Sequence, residues 1–235
     1  MSFVFSDDEI VAVKAKYPRL ERTGPGTIEG VLNMEADFNG KVIVDDFTIK
    51  MTATNPNSDR VPALYEIGGR TQAIAKKLSL QDLRTLHLNP DGTACVCVKQ
   101  LEKQKFPPGS DLMVFVENLA VPYLYWLASY EQNREGPWGD YAHGGLGLLE
   151  FYSEDTSLQT PEDIREVLPT FRRELNWVEY HKQIRKPSGE KMCLCGSGKI
   201  FRVCHKKAWQ GTVRLHGELL RLGINPRSLF NKTLS

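Results

Sequence analysis

Leu86-His87-Leu88-Asn89-Pro90-Asp91-Gly92-Thr93-Ala94-Cys95-Val96-Cys97 sets a thiol and an imidazole on either side of a turn. Asn-Pro-Asp-Gly has a mechanism as a turn: Pro90 presets φ, Asp91 suits the next position, and Gly92 accepts a left-handed conformation. A turn of this kind pairs Asn89 with Thr93, Leu88 with Ala94 and His87 with Cys95. Alternation then gives Leu86, Leu88, Ala94, Val96 and Val98 to a core face, and His87, Asn89, Thr93, Cys95 and Cys97 to the opposite face. The second face carries the residue types of a nucleophile site. A thiolate attacks acyl groups. Asn89 or a backbone N–H can donate to the developing oxyanion. His87 either orients or deprotonates the thiol, or braces the loop as a structural histidine. Cys97, two residues along the same face, lies at or beyond disulfide reach of Cys95. His143, in a glycine-rich stretch, either completes the site from a distant segment or is a packing histidine.

The second group of reactive residues is Cys193-Leu194-Cys195-Gly196-Ser197-Gly198-Lys199-Ile200-Phe201-Arg202-Val203-Cys204-His205. Three thiolates and one imidazole at C-x-C-x8-C-H spacing suit a closed tetrahedral structural zinc site formed by Cys193, Cys195, Cys204 and His205. The glycines allow a tight fold that aims N–H groups at sulfur. Lys199, Arg202, Lys206 and Lys207 offset its charge. The alternative is a set of free thiols in a glycine-rich turn.

These residues need a scaffold. Ser6 and Glu9 form a capping box for a helix over 7–17. Thr27–Leu32, Lys41–Thr54 and Val61–Ile67 read as strands, the second entered through the hairpin turn Asn39-Gly40. Helix, antiparallel meander and cysteine turn make an α+β order. Residues 122–132 read as a helix whose aromatic richness serves packing. Gly136–Gly147 reads as loop. Thr160-Pro161 opens a helix to Leu168, and another follows Pro169. The polar, basic stretch 181–190 predicts a linker between a domain over 1–180 and a small module over 191–235. That module ends in a helix with Trp209, Val213 and Leu220 on one side and Gly223 as its cap.

The chain has 235 residues, 41% hydrophobic and 25% charged, with net charge +1. Near-neutral charge argues against a chain-wide affinity for nucleic acid or anionic membrane. No signal peptide or apolar run of spanning length is visible, so the chain reads as cytoplasmic with no membrane partner. The five cysteines fall into two clusters, which suits a reducing compartment better than a disulfide framework.

The zinc cluster closely resembles the SEC-C motif of many bacterial proteins, with its C-x-C-G-S-G-K core, an aromatic, a basic residue, then C-H. The resemblance implies a zinc-bound interaction knuckle. His87, Asn89, Gly92 and Cys95, following a helix and a meander, resemble the active-site segment of ubiquitin-conjugating enzymes. Here Leu88 stands where that family has proline, and the loop from Asn89 to Cys95 is shorter. Tyr130-Glu131, Gly136-Pro137-Trp138 and Ala142–Tyr152 are similar to the bacterial branch of the family, found in antiviral defence operons. The resemblance implies a ubiquitin-conjugating-enzyme-like fold and a thioester on Cys95, passed to an amine. It implies as partners an upstream activating enzyme, a ubiquitin-like modifier or nucleotidyltransferase, and a protein target. A non-catalytic scaffold of the same fold and a Cys-His thiol hydrolase are the alternatives.

Overall fold

A computed structural model describes residues 4–139, 141–154 and 160–228. The chain forms two compact units, Met1–Gly139 and Asp140–Ser235. The boundary thus falls at 139/140. Residues 181–190, expected as a linker, lie inside the second unit, where 177–185 are helical and the Gly189 carbonyl accepts the Arg202 N–H.

The first unit opens with α1 (Asp7–Lys16), whose capping box forms as expected: Ser6 Oγ accepts the Glu9 N–H while the Glu9 carboxylate accepts the Ser6 N–H. A four-stranded antiparallel sheet follows in the order β1 (Leu20–Gly24), β2 (Thr27–Phe38), β3 (Lys41–Thr52), β4 (Ala63–Glu66). Asn39 and Gly40 both take positive φ, 52° and 80°, which matches the right-handed twist of the hairpin they join. Ile28, Leu32, Met34, Phe47, Ile49 and Met51 alternate onto the buried face of the sheet. There they pack with α1 and with the long helical run that follows. β1 is short, and its middle residues Glu21, Arg22 and Thr23 are exposed. It carries no apolar alternation to announce it. Gly30 takes φ 142°, and a Cβ there would lie 2.1 Å from the Arg19 carbonyl oxygen. Only glycine lets β1 close on β2 at that point.

After β4 the chain forms α2 (Arg70–Lys77), which the sequence pattern did not reveal. The buried Glu66 carboxylate accepts the Thr71 N–H at 2.9 Å and caps it. A short α3 (Glu102–Lys105) lies beyond the cysteine turn. Then α4 (Leu112–Phe115), a π turn (Val116–Ala120) and α5 (Val121–Asn133) run continuously. The helix expected over 122–132 thus starts at Leu112, although Pro122 lacks an N–H and its ring crowds the carbonyl four residues back. The π turn, with Val121 N–H bonded to the Val116 carbonyl, widens the helix at that point and lets it continue. Among the described residues, Leu112–Asn133 is long and apolar enough to cross a membrane by length and composition, contrary to expectation. Most of it is buried in the fold as a core helix.

The second unit contains α6 (Gly144–Ser153), α7 (Pro161–Arg172), α8 (Trp177–Arg185), α9 (Phe201–Cys204) and α10 (Lys206–Arg221). α6 replaces part of the expected loop. Its glycines mark close approach: a Cβ on Gly145 would meet the Tyr180 ring at 2.7 Å, and one on Gly147 the Ala142 carbonyl oxygen. α7 continues through Pro169, where a break was expected. On α10 the buried positions are Ala208, Gly211, Thr212, Leu215 and Leu219, whereas Val213 and Leu220 are exposed. The expected face is displaced because Gly211 lets the backbone of α10 settle against the Leu149 carbonyl of α6. Gly223 takes φ 69° and ends the helix as expected.

Candidate functional site

The cysteine turn is assembled from backbone bonds. A single 3-10 turn, Leu83–Leu86, is capped by the Asp82 carboxylate on the Arg84 N–H. His87 ends it with φ 52°. The expected pairing then appears as a bridge rather than a ladder: Asn89 N–H to Thr93 O at 2.8 Å, Leu88 opposite Ala94, and Cys95 N–H to His87 O at 2.7 Å. Gly92 takes φ 84°, and its N–H reaches the Asn89 carbonyl at 2.9 Å. Ala94 N–H donates to the Leu64 carbonyl at 2.8 Å, so the residue before Cys95 is tied to β4.

Side chains lock the turn. Thr93 Oγ1 accepts from Asn89 Nδ2 at 2.9 Å and from Asn57 Nδ2 at 2.9 Å, and donates to Asp91 Oδ1 at 2.7 Å. Asn57 Nδ2 also donates to Asp91 Oδ2 at 2.8 Å. Burial alone would raise the Asp91 pKa, but the Thr93 hydroxyl and amide and the Asn57 amide hold it below the usual value. Thr93 is therefore buried, not on the open face assigned by alternation. A hydrogen of the Asn89 amide is committed to the turn. Asn57, on the loop before β4, is a positioning residue that the sequence did not signal, because its partners lie more than thirty positions away.

Cys95 and Cys97 are both partly exposed, and Cys95 Sγ lies 4.0 Å from the Cys97 carbonyl oxygen. Cys97 packs against the core. Burial, reinforced by the charges of Glu102 and Cys95, pushes its thiol up to about 12. Glu102 is itself buried, accepts from Ser58 Oγ at 2.8 Å, and is raised by desolvation. The His87 ring sits edge-on to Trp126, with centroids 4.6 Å apart, and Trp126 stacks on Tyr130 at 4.8 Å. Tyr123 Oη donates to the Leu86 carbonyl at 3.3 Å. His143 belongs to the second unit, where it precedes α6 as its N-cap residue.

The second cluster is compact. The ligand atoms of Cys193, Cys195, Cys204 and His205 lie within 4.8 Å of one another. Cys193 Sγ is 3.2 Å from His205 Nδ1, and Cys195 Sγ is 3.6 Å from Cys204 Sγ. Four donor atoms this close together could hold a metal ion. Gly196 and Gly198 take φ 78° and 72°, and Cys193 N–H bonds the Lys199 carbonyl at 2.7 Å. The turn they close brings the Ser197 hydroxyl to 3.2 Å from Cys204 Sγ. Burial pushes the Cys193 thiol up to about 12. Burial also opposes ionisation of Cys195, but the Ser197 hydroxyl and amide and the neighbouring thiols outweigh it and draw the pKa down to about 7. Asn176, just before α8, donates to the Leu194 carbonyl at 2.7 Å and ties the cluster to the helices beneath it.

Comparison of the chain with family models, with curated proteins and with solved structures gives no match.

Proposed function

We propose that the first unit is a ubiquitin-conjugating-enzyme-like acyl carrier. The Cys95 thiolate attacks the carbonyl carbon of a donor thioester, and the donor thiolate leaves. An amine then attacks the Cys95 thioester and Cys95 departs as thiolate. The observation that carries this reading is the setting of Cys95. It is a partly exposed thiol that follows directly on a turn braced by Asn57, Asp91 and Thr93 and tied to β4. The order of helix, antiparallel meander, cysteine turn and helices supports the same reading. His87, edge-on to Trp126, serves as a bracing residue, and Asn89 holds the turn. A backbone N–H serves the oxyanion.

The donor is an activating enzyme carrying a ubiquitin-like modifier or a nucleotidyltransferase C-terminus, and the acceptor is a target protein, in a bacterial antiviral defence system. The cysteine and histidine cluster holds structural zinc, for which three thiolates and one imidazole are a suitable set.

The test is co-expression with the neighbouring genes, followed by intact mass under non-reducing conditions. The wild-type chain and Cys97→Ala are expected to carry an adduct cleaved by hydroxylamine, and Cys95→Ala to carry none. An adduct that survives in Cys95→Ala overturns the assignment. Persistence of every binding partner without any adduct favours the scaffold alternative.

A further inference from the structure

The four metal donors are not equivalent. Cys193 is buried and pairs with His205 at 3.2 Å. Cys195 is exposed, Cys204 is partly exposed, and their sulfurs are 3.6 Å apart. Among the three sulfurs, Cys193 is thus the covered one, and Cys195 and Cys204 form an accessible dithiol. A disulfide needs sulfur–sulfur contact at about 2.05 Å. Cys195, on the glycine turn, and Cys204, at the end of α9, already hold their sulfurs 3.6 Å apart. The Cys193 sulfur, beneath them, is the less accessible partner.

We infer that Cys195 and Cys204 form a site of reversible oxidation, at which hydrogen peroxide makes a disulfide and expels the metal. This rests on the metal-site reading but is independent of any thioester on Cys95. The Cys195 sulfur attacks one peroxide oxygen; the O–O bond breaks and hydroxide leaves, giving a sulfenic acid. The Cys204 thiolate then attacks that sulfur and displaces a second hydroxide, forming the S–S bond. The two sulfurs supply two electrons, and two protons from solvent complete two waters. A disulfide is a far poorer metal ligand than two thiolates. The ion is left with Cys193 and His205, and a two-donor remnant does not retain zinc against water and chelators. A dithiol reductant restores the full set.

The experiment uses the full chain loaded with zinc and titrated with hydrogen peroxide. A chromogenic chelator reads zinc release, and peptide mapping after alkylation reads the disulfide. The expected result is release of one zinc per chain, in step with loss of two hydrogen masses from the peptides holding Cys195 and Cys204. Dithiothreitol and added zinc reverse both. Cys95→Ser/Cys97→Ser, which leaves the metal donors intact, is expected to respond as the wild type does. A disulfide that joins Cys193 or Cys95, a disulfide formed in the zinc-loaded chain without zinc release, or a response lost in the double variant overturns the inference. A chain that takes up no zinc overturns the metal reading by itself, because the disulfide is still mapped in that chain.

Discussion

Cys95 and Cys97 are separated by one residue, but their surroundings set them apart. Cys97 packs against the core, and its thiol is pushed up to about 12. A thiol raised this far stays protonated through neutral pH and gains thiolate only as pH climbs toward that value. Iodoacetamide at pH 8 is therefore expected to label Cys97 more than about 100-fold more slowly than a free thiol, with the rate still rising at the highest pH tolerated. Peptide mapping of a timed reaction checks this; labelling at a free-thiol rate would show that Cys97 is not shielded. Much of the chemistry at this scale was legible. Four metal donors at fixed spacing announce themselves, and alternation set Leu86, Leu88 and Ala94 inward as observed. Thr93 was misplaced because its hydroxyl has partners on both sides, Asn57 and Asp91, and alternation takes no account of a satisfied buried hydroxyl.

Among the elements, the strands were legible where apolar alternation or a turn signal was strong, and the Asn39-Gly40 hairpin was the clearest of them. β1 was missed for lack of such a signal. α6 was missed for a different reason: its glycines look like loop residues but serve helix packing. The same physics governs α10 and yields a paired prediction. A Cβ at Gly211 would lie 1.6 Å from the Leu149 carbonyl oxygen and 2.9 Å from the Ser153 nitrogen, whereas one at Gly217 meets nothing within 4 Å. Gly211→Ala is expected to destabilise the second unit by about 3 kcal/mol through overpacking against backbone. Gly217→Ala, on the same helix, is expected to stabilise it by roughly 0.5–1 kcal/mol through helix propensity. Urea titration of both variants separates the two effects, and equal shifts would contradict the packing described for α6 and α10.

Across the whole molecule, the cysteine cluster is not an appended knuckle. Asn176 bonds the Leu194 carbonyl, Cys204 closes α9, and His205 precedes α10, the helix that packs on α6. A metal held by these four residues would thereby be built into the helices of the second unit. Chelation of the ion is expected to lower the stability of that unit by several kcal/mol, as removal of a structural metal does. Hydrogen exchange should report the loss as faster exchange through α8, α9 and α10. Unchanged exchange in those helices after complete metal removal would mean that they hold themselves together without it. A linker was expected at 181–190 because polar, proline-bearing composition looks the same whether a segment joins two bodies or folds back within one.

The π turn at Val116–Ala120 carries a consequence of phase. An α-helix advances about 100° and 1.5 Å per residue. A π turn closes its bond over five residues where an α turn uses four, so deleting one residue from Val116–Ala120 would leave an ordinary helix in which everything from Val121 onward keeps its angle about the axis. A deletion just after the turn, at Val121, would instead rotate the rest of α5 by about 100° and swing Trp126 away from His87 and Tyr123 away from the Leu86 carbonyl. The core helix thus tolerates a change of length at the π turn that it does not tolerate one residue further on, where the azimuth facing the cysteine turn is fixed.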